Sequence, residues 1–204
     1  MNSYLNEGEY SKLETLLINS NLHDTHRLSF GEFWKNLKMA RGYNKLKKKG
    51  YKEALVDFET AINVPKNIAQ HYMASFSSQA RRLFYIGYCY ARMGNTEKAD
   101  ELWKEALKLK RVSRFQPMYH YDHIKTLYYQ TFCLRGLGRM DEADNYIRQI
   151  EEFAKSISIQ ENKGLQRQLL ILSIRGFENI DAFDKWDSEL GLVRINVNFN
   201  APEE

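Results

Sequence analysis

Two cysteines, Cys89 and Cys133, and three prolines, Pro65, Pro117 and Pro202, are all that the 204 residues hold of either type. Two thiols cannot build a disulfide framework, so a reducing compartment fits best. With proline so scarce, long stretches are free to be helical, and each proline falls between candidate helices or in the tail. No apolar run approaches the roughly 18 residues that span a bilayer. The start, Met1-Asn2-Ser3-Tyr4-Leu5-Asn6-Glu7, lacks the basic residues and apolar stretch of a signal peptide. The chain therefore reads as soluble and cytoplasmic, with no membrane partner. Charge of one sign is scarce too: 30 basic residues face 26 acidic ones, a net +4. That excess is too mild for a dedicated nucleic-acid binder, so no nucleic-acid partner is expected. The densest basic run, Lys45, Lys47, Lys48 and Lys49, reads as a solvated helix end whose cations suit the negative pole of the helix dipole.

Catalytic signatures are also missing. There is no Gly-x-Ser-x-Gly turn, no phosphate loop ending in Gly-Lys, and no Gly-x-Gly-x-x-Gly fingerprint. Gly136-Leu137-Gly138 has no preceding strand and reads as a turn. His23 with His26, and His120 with His123, have the three-residue spacing that can chelate zinc on a helix. No cysteine lies near either pair, and both sit where a loop meets a helix, so neither is taken as a metal site. Cys89 and Cys133 occupy equivalent places in two repeated segments, which fits packing rather than reactive thiols. The expectation is a protein with no catalytic residue, no metal and no cofactor.

What is present is a core-forming apolar fraction of 43% and an internal repeat. Lys49 to Ala61, Gly94 to Ala106 and Gly138 to Ile150 align without gaps, with alanines at 54, 99 and 143, spaced 45 and 44 residues apart. Four residues after each alanine comes a large side chain: Phe58, Trp103 and Ile147. Three further on stand Ala61, Ala106 and Ile150. Steps of three and four place these on one helix face. Gly94 and Gly138 suit the left-handed residue that ends a helix, and Asn95 or Thr96, and Asp141, can cap the next one. Twelve residues before the alanines stand Gly42, Gly87 and Thr131, small enough for a paired helix to approach closely. Each unit is thus a helix–turn–helix hairpin. The extra length relative to a shorter repeat is assigned to one long helix over Ile68 to Met93 and to a loop over Arg111 to Asp122.

The pattern resembles the tetratricopeptide repeat (TPR), most closely at Leu83, Ile86, Gly87, Tyr90, Gly94, Ala99, Trp103 and Ala106. Lys45, Thr131 and Ile150 depart from it, and the spacing exceeds the family's 34 residues. The resemblance implies an all-α, right-handed superhelical solenoid of αα-hairpins over residues 1–204, read as a single domain. It would hold a half unit at 8–20 and units at 32–64, 80–110 and 124–156. A degenerate unit at 165–190 and an extended tail at 191–204 would follow. More loosely, residues 50–155 look like the C-terminal helical-repeat region of large bacterial proteins with an N-terminal β-rich domain.

In such a solenoid the first helices line a concave groove. The candidate groove residues are Tyr43, Arg81, Tyr85, Tyr88, Arg92, Lys125, Tyr129 and Phe132. Tyr and Arg dominate interface hot spots, so these point to a non-catalytic scaffold for a protein or peptide. Tyr85, Tyr88 and Tyr129 should then be exposed on one concave surface. Tyr43, Tyr88 and Phe132 stand where a carboxylate clamp would need Asn, which argues against that mode. Two other readings are an appendage of a larger carbohydrate-related protein, and homodimer assembly through solenoid ends.

Overall fold

The computed structural model describes residues 9–19, 30–68, 76–109 and 118–156. Among them there are seven helices and no strand: α1 (Tyr10–Asn19), α2 (Phe30–Lys47), α3 (Tyr51–Thr60), α4 (Phe76–Arg92), α5 (Thr96–Lys108), α6 (Met118–Gly136) and α7 (Met140–Ser156). None of these helices is long and apolar enough to cross a membrane. The degenerate unit at 165–190, the tail at 191–204 and the pair His23 and His26 lie outside the described residues.

The chain divides into two compact units between Ala74 and Ser75. Helices α1 to α3 belong to the first and α4 to α7 to the second. That boundary falls between the repeats at 32–64 and 80–110, so both of these stay whole.

Three turns repeat the same geometry. The amides of Gly50, Asn95 and Arg139 donate to the carbonyls of Lys45, Tyr90 and Leu134, five residues back, at 3.0, 2.9 and 2.9 Å. The residue before each donor is left-handed: Lys49 at φ 61°, Gly94 at 85° and Gly138 at 72°. This is the glycine-ended helix stop expected at Gly94 and Gly138. In the first turn a lysine takes the same conformation, at a cost of roughly 1 kcal/mol from its Cβ. The alanine amides at 54, 99 and 143 then close the first turn of α3, α5 and α7 by donating to Gly50, Asn95 and Arg139. Asn95 caps α5 by accepting from the Lys98 amide at 3.1 Å. Asp141 is not a cap as expected: α7 already begins at Met140, so Asp141 lies in its first turn.

Two other expectations shift. Ile68 is not helical; its amide donates to Pro65 at 3.0 Å, and the described part of the following helix starts at Phe76. The described part of α6 starts at Met118, so residues 118–122 are helical rather than loop.

The hairpins close where a ring meets a glycine. A Cβ on Gly42 would lie 2.6 Å from the Phe58 ring, and one on Gly87 2.8 Å from Cδ1 of Trp103. Trp103 is also pressed against Gly136 of α6, where a Cβ would lie 2.5 Å from its ring. Its indole N–H donates to the Phe84 carbonyl at 3.3 Å. In the third hairpin Thr131 replaces the glycine, and the smaller Ile147 replaces the ring. Helix α5 turns straight back on α4 through the Gly94 turn, and along α6 its contacts run in reverse order, Gly136 at Trp103 and Gln130 at Ala106 and Leu109, so α5 is antiparallel to both and α4 and α6 run the same way. Gln130 of α6 strengthens the second joint by donating to Ala106 and Leu109, at 2.8 and 2.9 Å, where α5 ends.

The first unit uses charge where the second uses hydrocarbon. Lys38, Arg41 and Lys45 of α2 align with Leu83, Ile86 and Tyr90 of α4, and Asp57 of α3 with Leu102 of α5. Asp57 is 1% exposed; Arg41 donates to it through Nε at 2.8 Å and Nη2 at 2.5 Å, and Lys45 lies 2.7 Å away. Glu14 of α1 takes both Lys38 and Arg41. Tyr10 accepts from Asn44 at 2.5 Å, and Asn67 donates to the Leu17 and Ile18 carbonyls, both at 3.1 Å. Leu13 and Leu17 of α1 bury themselves against Trp34, Leu37 and Ile68. Together these bonds hold α1 to the α2–α3 hairpin.

Partial burial pushes the Glu14 carboxyl upward, but the hydrogen bonds and charges of Lys38 and Arg41 outweigh it and hold the group below 4.5. A depressed folded-state value contributes stability above the ordinary carboxylate range, lost as pH falls through the folded value. In urea denaturation, Glu14→Gln should be less stable than the native chain at pH 7, and the gap should close from about pH 5 downward. A gap that stays constant across that range would separate Glu14 from the acid response.

Candidate binding surface

The eight groove candidates divide by burial. Tyr43 lies in the first unit and is buried, with the exposed Lys47 ammonium 4.5 Å from its ring centre. The other seven lie on α4 and α6. There Tyr85 is 1% exposed, and Tyr88, Tyr129 and Phe132 are also buried. Arg81 and Lys125 are half-buried and Arg92 is exposed.

The expected exposure of Tyr85, Tyr88 and Tyr129 is therefore not found. The reason is ring-on-ring packing. Tyr85 lies 5.1 Å from Phe84 and Phe84 lies 5.5 Å from Phe132. Phe132 lies 5.2 Å from Tyr128, and Tyr128 lies 5.4 Å from Tyr129. Tyr88 joins the chain through Phe84 at 6.2 Å. The Phe84–Phe132 pair crosses from α4 to α6, so these aromatics bond the two hairpins together. Such tilted and edge contacts add about 1 kcal/mol per pair beyond area burial.

What the second unit leaves in reach of solvent is the cationic part of the set. Arg81 and Lys125 occupy equivalent repeat positions, 44 residues apart, on parallel neighbouring helices. Arg92 lies one turn beyond Tyr88, with its guanidinium 5.9 Å from that ring. Lys47 over Tyr43 is the same arrangement at the equivalent place in the first unit. Arg81, Lys125 and Arg92 also interact within the chain, so a ligand there must compete with internal contacts.

Both cysteines are fully buried, and burial pushes the Cys133 thiol far up, which suits packing. Among the described residues no group of three His, Cys, Asp or Glu is gathered as a metal would need. The half-buried Glu14 and Arg41 and the buried Lys38 and Asp57 are not among the candidates that the sequence offers. The repeat alignment held a signal for three of them: cations and a carboxylate stand where the other repeats place Leu83, Ile86 and Leu102. No family model matches the chain, and no curated protein or solved structure matches it significantly.

Burial separates two kinds of variant. Tyr85→Ala should cost about 3 kcal/mol in denaturant unfolding, as for other large aromatic truncations in a core. Arg92→Ala should stay within about 1 kcal/mol, since an exposed cation–π contact is worth little more. Equal small effects would mean that Tyr85 is not a core residue.

Proposed function

We propose that the chain is a TPR-like scaffold, without turnover, that holds an acidic segment of a protein or peptide across its first helices. The observation carrying this reading is the pair α4 and α6: parallel neighbours, each with its own second helix, presenting Arg81 and Lys125 at equivalent positions. Their spacing along two parallel helices suits carboxylates spread along an extended or helical peptide. Partly exposed cations add steering and specificity, and the aromatic contacts between α4 and α6 hold the helices that carry them together. The groove reading thus moves from tyrosine faces to the cations above them. A right-handed superhelical stacking of the hairpins α4–α5 and α6–α7 belongs to the same proposal, supported by Trp103, which packs against Gly87 of one and Gly136 of the other.

The test is fluorescence anisotropy with acidic, neutral and basic peptides of equal length. Acidic peptides should bind, weaken with salt, and lose about tenfold or more in affinity on Arg81→Glu, Lys125→Glu. Circular dichroism should show the double variant still helical. Equal binding of all three peptides, or acidic binding unchanged in the variant, would overturn the proposal.

A further inference from the structure

The turn between α2 and α3 carries more positive charge than the fold asks for. Lys47, Lys48, Lys49 and Lys52 are all exposed within six residues, with Glu53 the one carboxylate among them. Lys48, Lys49 and Lys52 form no ion pair with any described residue. The equivalent places in the next turn hold Arg92, Met93, Gly94 and Glu97, and in the last Gly136, Leu137, Gly138 and Asp141. The turn geometry therefore does not require lysine. At position 49 it disfavours lysine, since φ is 61° where the sister turns place glycine.

An opposite surface lies on the outer side of α7. Asp141, Asp144 and Glu152 are exposed and Glu151 is half-buried, with Arg148 the one cation among them. Spacings of three, ten and eleven residues from Asp141 set these carboxylates along one side of the helix, with Arg148 seven residues on among them. None of the four forms an ion pair with a described residue. The neighbouring Glu142 is neutralised by Arg139, at 2.6 Å through both guanidinium nitrogens.

Each charged surface also has an apolar knob one turn away. Val56, four residues after Lys52, is 57% exposed, and Met140, four before Asp144, is 56% exposed. Few large apolar side chains among the described residues are this open; the others are Leu16, Ile18 and Ile62.

We infer that this protein associates with itself, the lysine turn and Val56 of one copy seating on the acidic α7 face and Met140 of another. Four lysines against one carboxylate meet four carboxylates against one guanidinium, so the two faces balance. An apolar contact flanked by complementary charges gives both desolvated area and orientation. One such pairing leaves a lysine turn on one copy and an α7 face on the other, which can meet each other in a closed dimer or take further copies. This inference does not rest on the peptide-binding proposal, because none of its residues belongs to the α4–α6 surface.

The test is sedimentation velocity of the full chain over a range of concentrations in low and high salt. The native protein should self-associate, with an apparent dissociation constant about tenfold weaker or more between 50 and 500 mM salt. The variant Lys48→Glu, Lys49→Glu, Lys52→Glu should be monomeric, and so should Asp141→Lys, Asp144→Lys, Glu152→Lys. An equimolar mixture of the two should regain association, which neither a generic loss of solubility nor a polyanion-binding turn would produce. Helical circular dichroism controls for folding, and the salt dependence of the native chain stands even if one variant fails to fold. A native protein that stays monomeric in low salt, a mixture that stays monomeric, or association that survives either reversal would overturn the inference.

Discussion

An aromatic ring lying where a side chain is missing is the contact on which the hairpins depend. Two helices approach closely only if one surrenders its Cβ, and a planar ring then fills the notch. Phe58 does this at Gly42, and Trp103 does it twice, at Gly87 and at Gly136 of the following helix. The single indole thus closes one hairpin and joins it to the next. Where glycine is absent, at Thr131, the opposing residue shrinks to Ile147. Size is conserved across each joint, which is what dense packing demands.

With the backbone pinned this way, the rest of each joint is free to vary in chemistry. The second unit fills it with Leu83, Ile86 and a run of touching rings from Tyr85 to Tyr129. The first unit fills the equivalent places with Lys38, Arg41, Lys45 and Asp57, tied to Glu14 on α1. A buried ion network of this kind adds little net stability over hydrocarbon, yet breaking one partner of it is costly. It also fixes register, because α1 can satisfy Lys38 and Arg41 only where Glu14 meets them. The two units therefore share their turn geometry and differ in what fills the joint between their helices.

Much of this was legible in the chain itself. Glycine at 94 and 138 marked left-handed stops, and the alanine-to-ring spacing at Ala99–Trp103 and Ala54–Phe58 marked the helix faces that close each hairpin. Burial of the tyrosines was not legible. A Tyr on the first helix of a hairpin has the same periodicity whether it faces a ligand or a neighbouring helix, and only the Phe84–Phe132 contact between α4 and α6 decides it. Nor could spacing show that Arg41 and Asp57, sixteen residues apart, share a hydrogen bond. The left-handed Lys49 was visible in the alignment as the residue facing two glycines, although its sequence alone gives no φ.

The joint itself is tested most directly by a double-mutant cycle at Gly87 and Trp103. In an ordinary helix interior Gly→Ala stabilises by about 1 kcal/mol. Here the added Cβ meets the indole, and overpacking of this kind costs about 2 kcal/mol. Gly87→Ala should destabilise the native chain in denaturant unfolding, and should become nearly neutral or stabilising once Trp103→Leu has removed the ring. A Gly87→Ala variant that is stabilised by the usual helix amount, or one whose cost is unchanged by Trp103→Leu, would contradict the ring-and-notch joint.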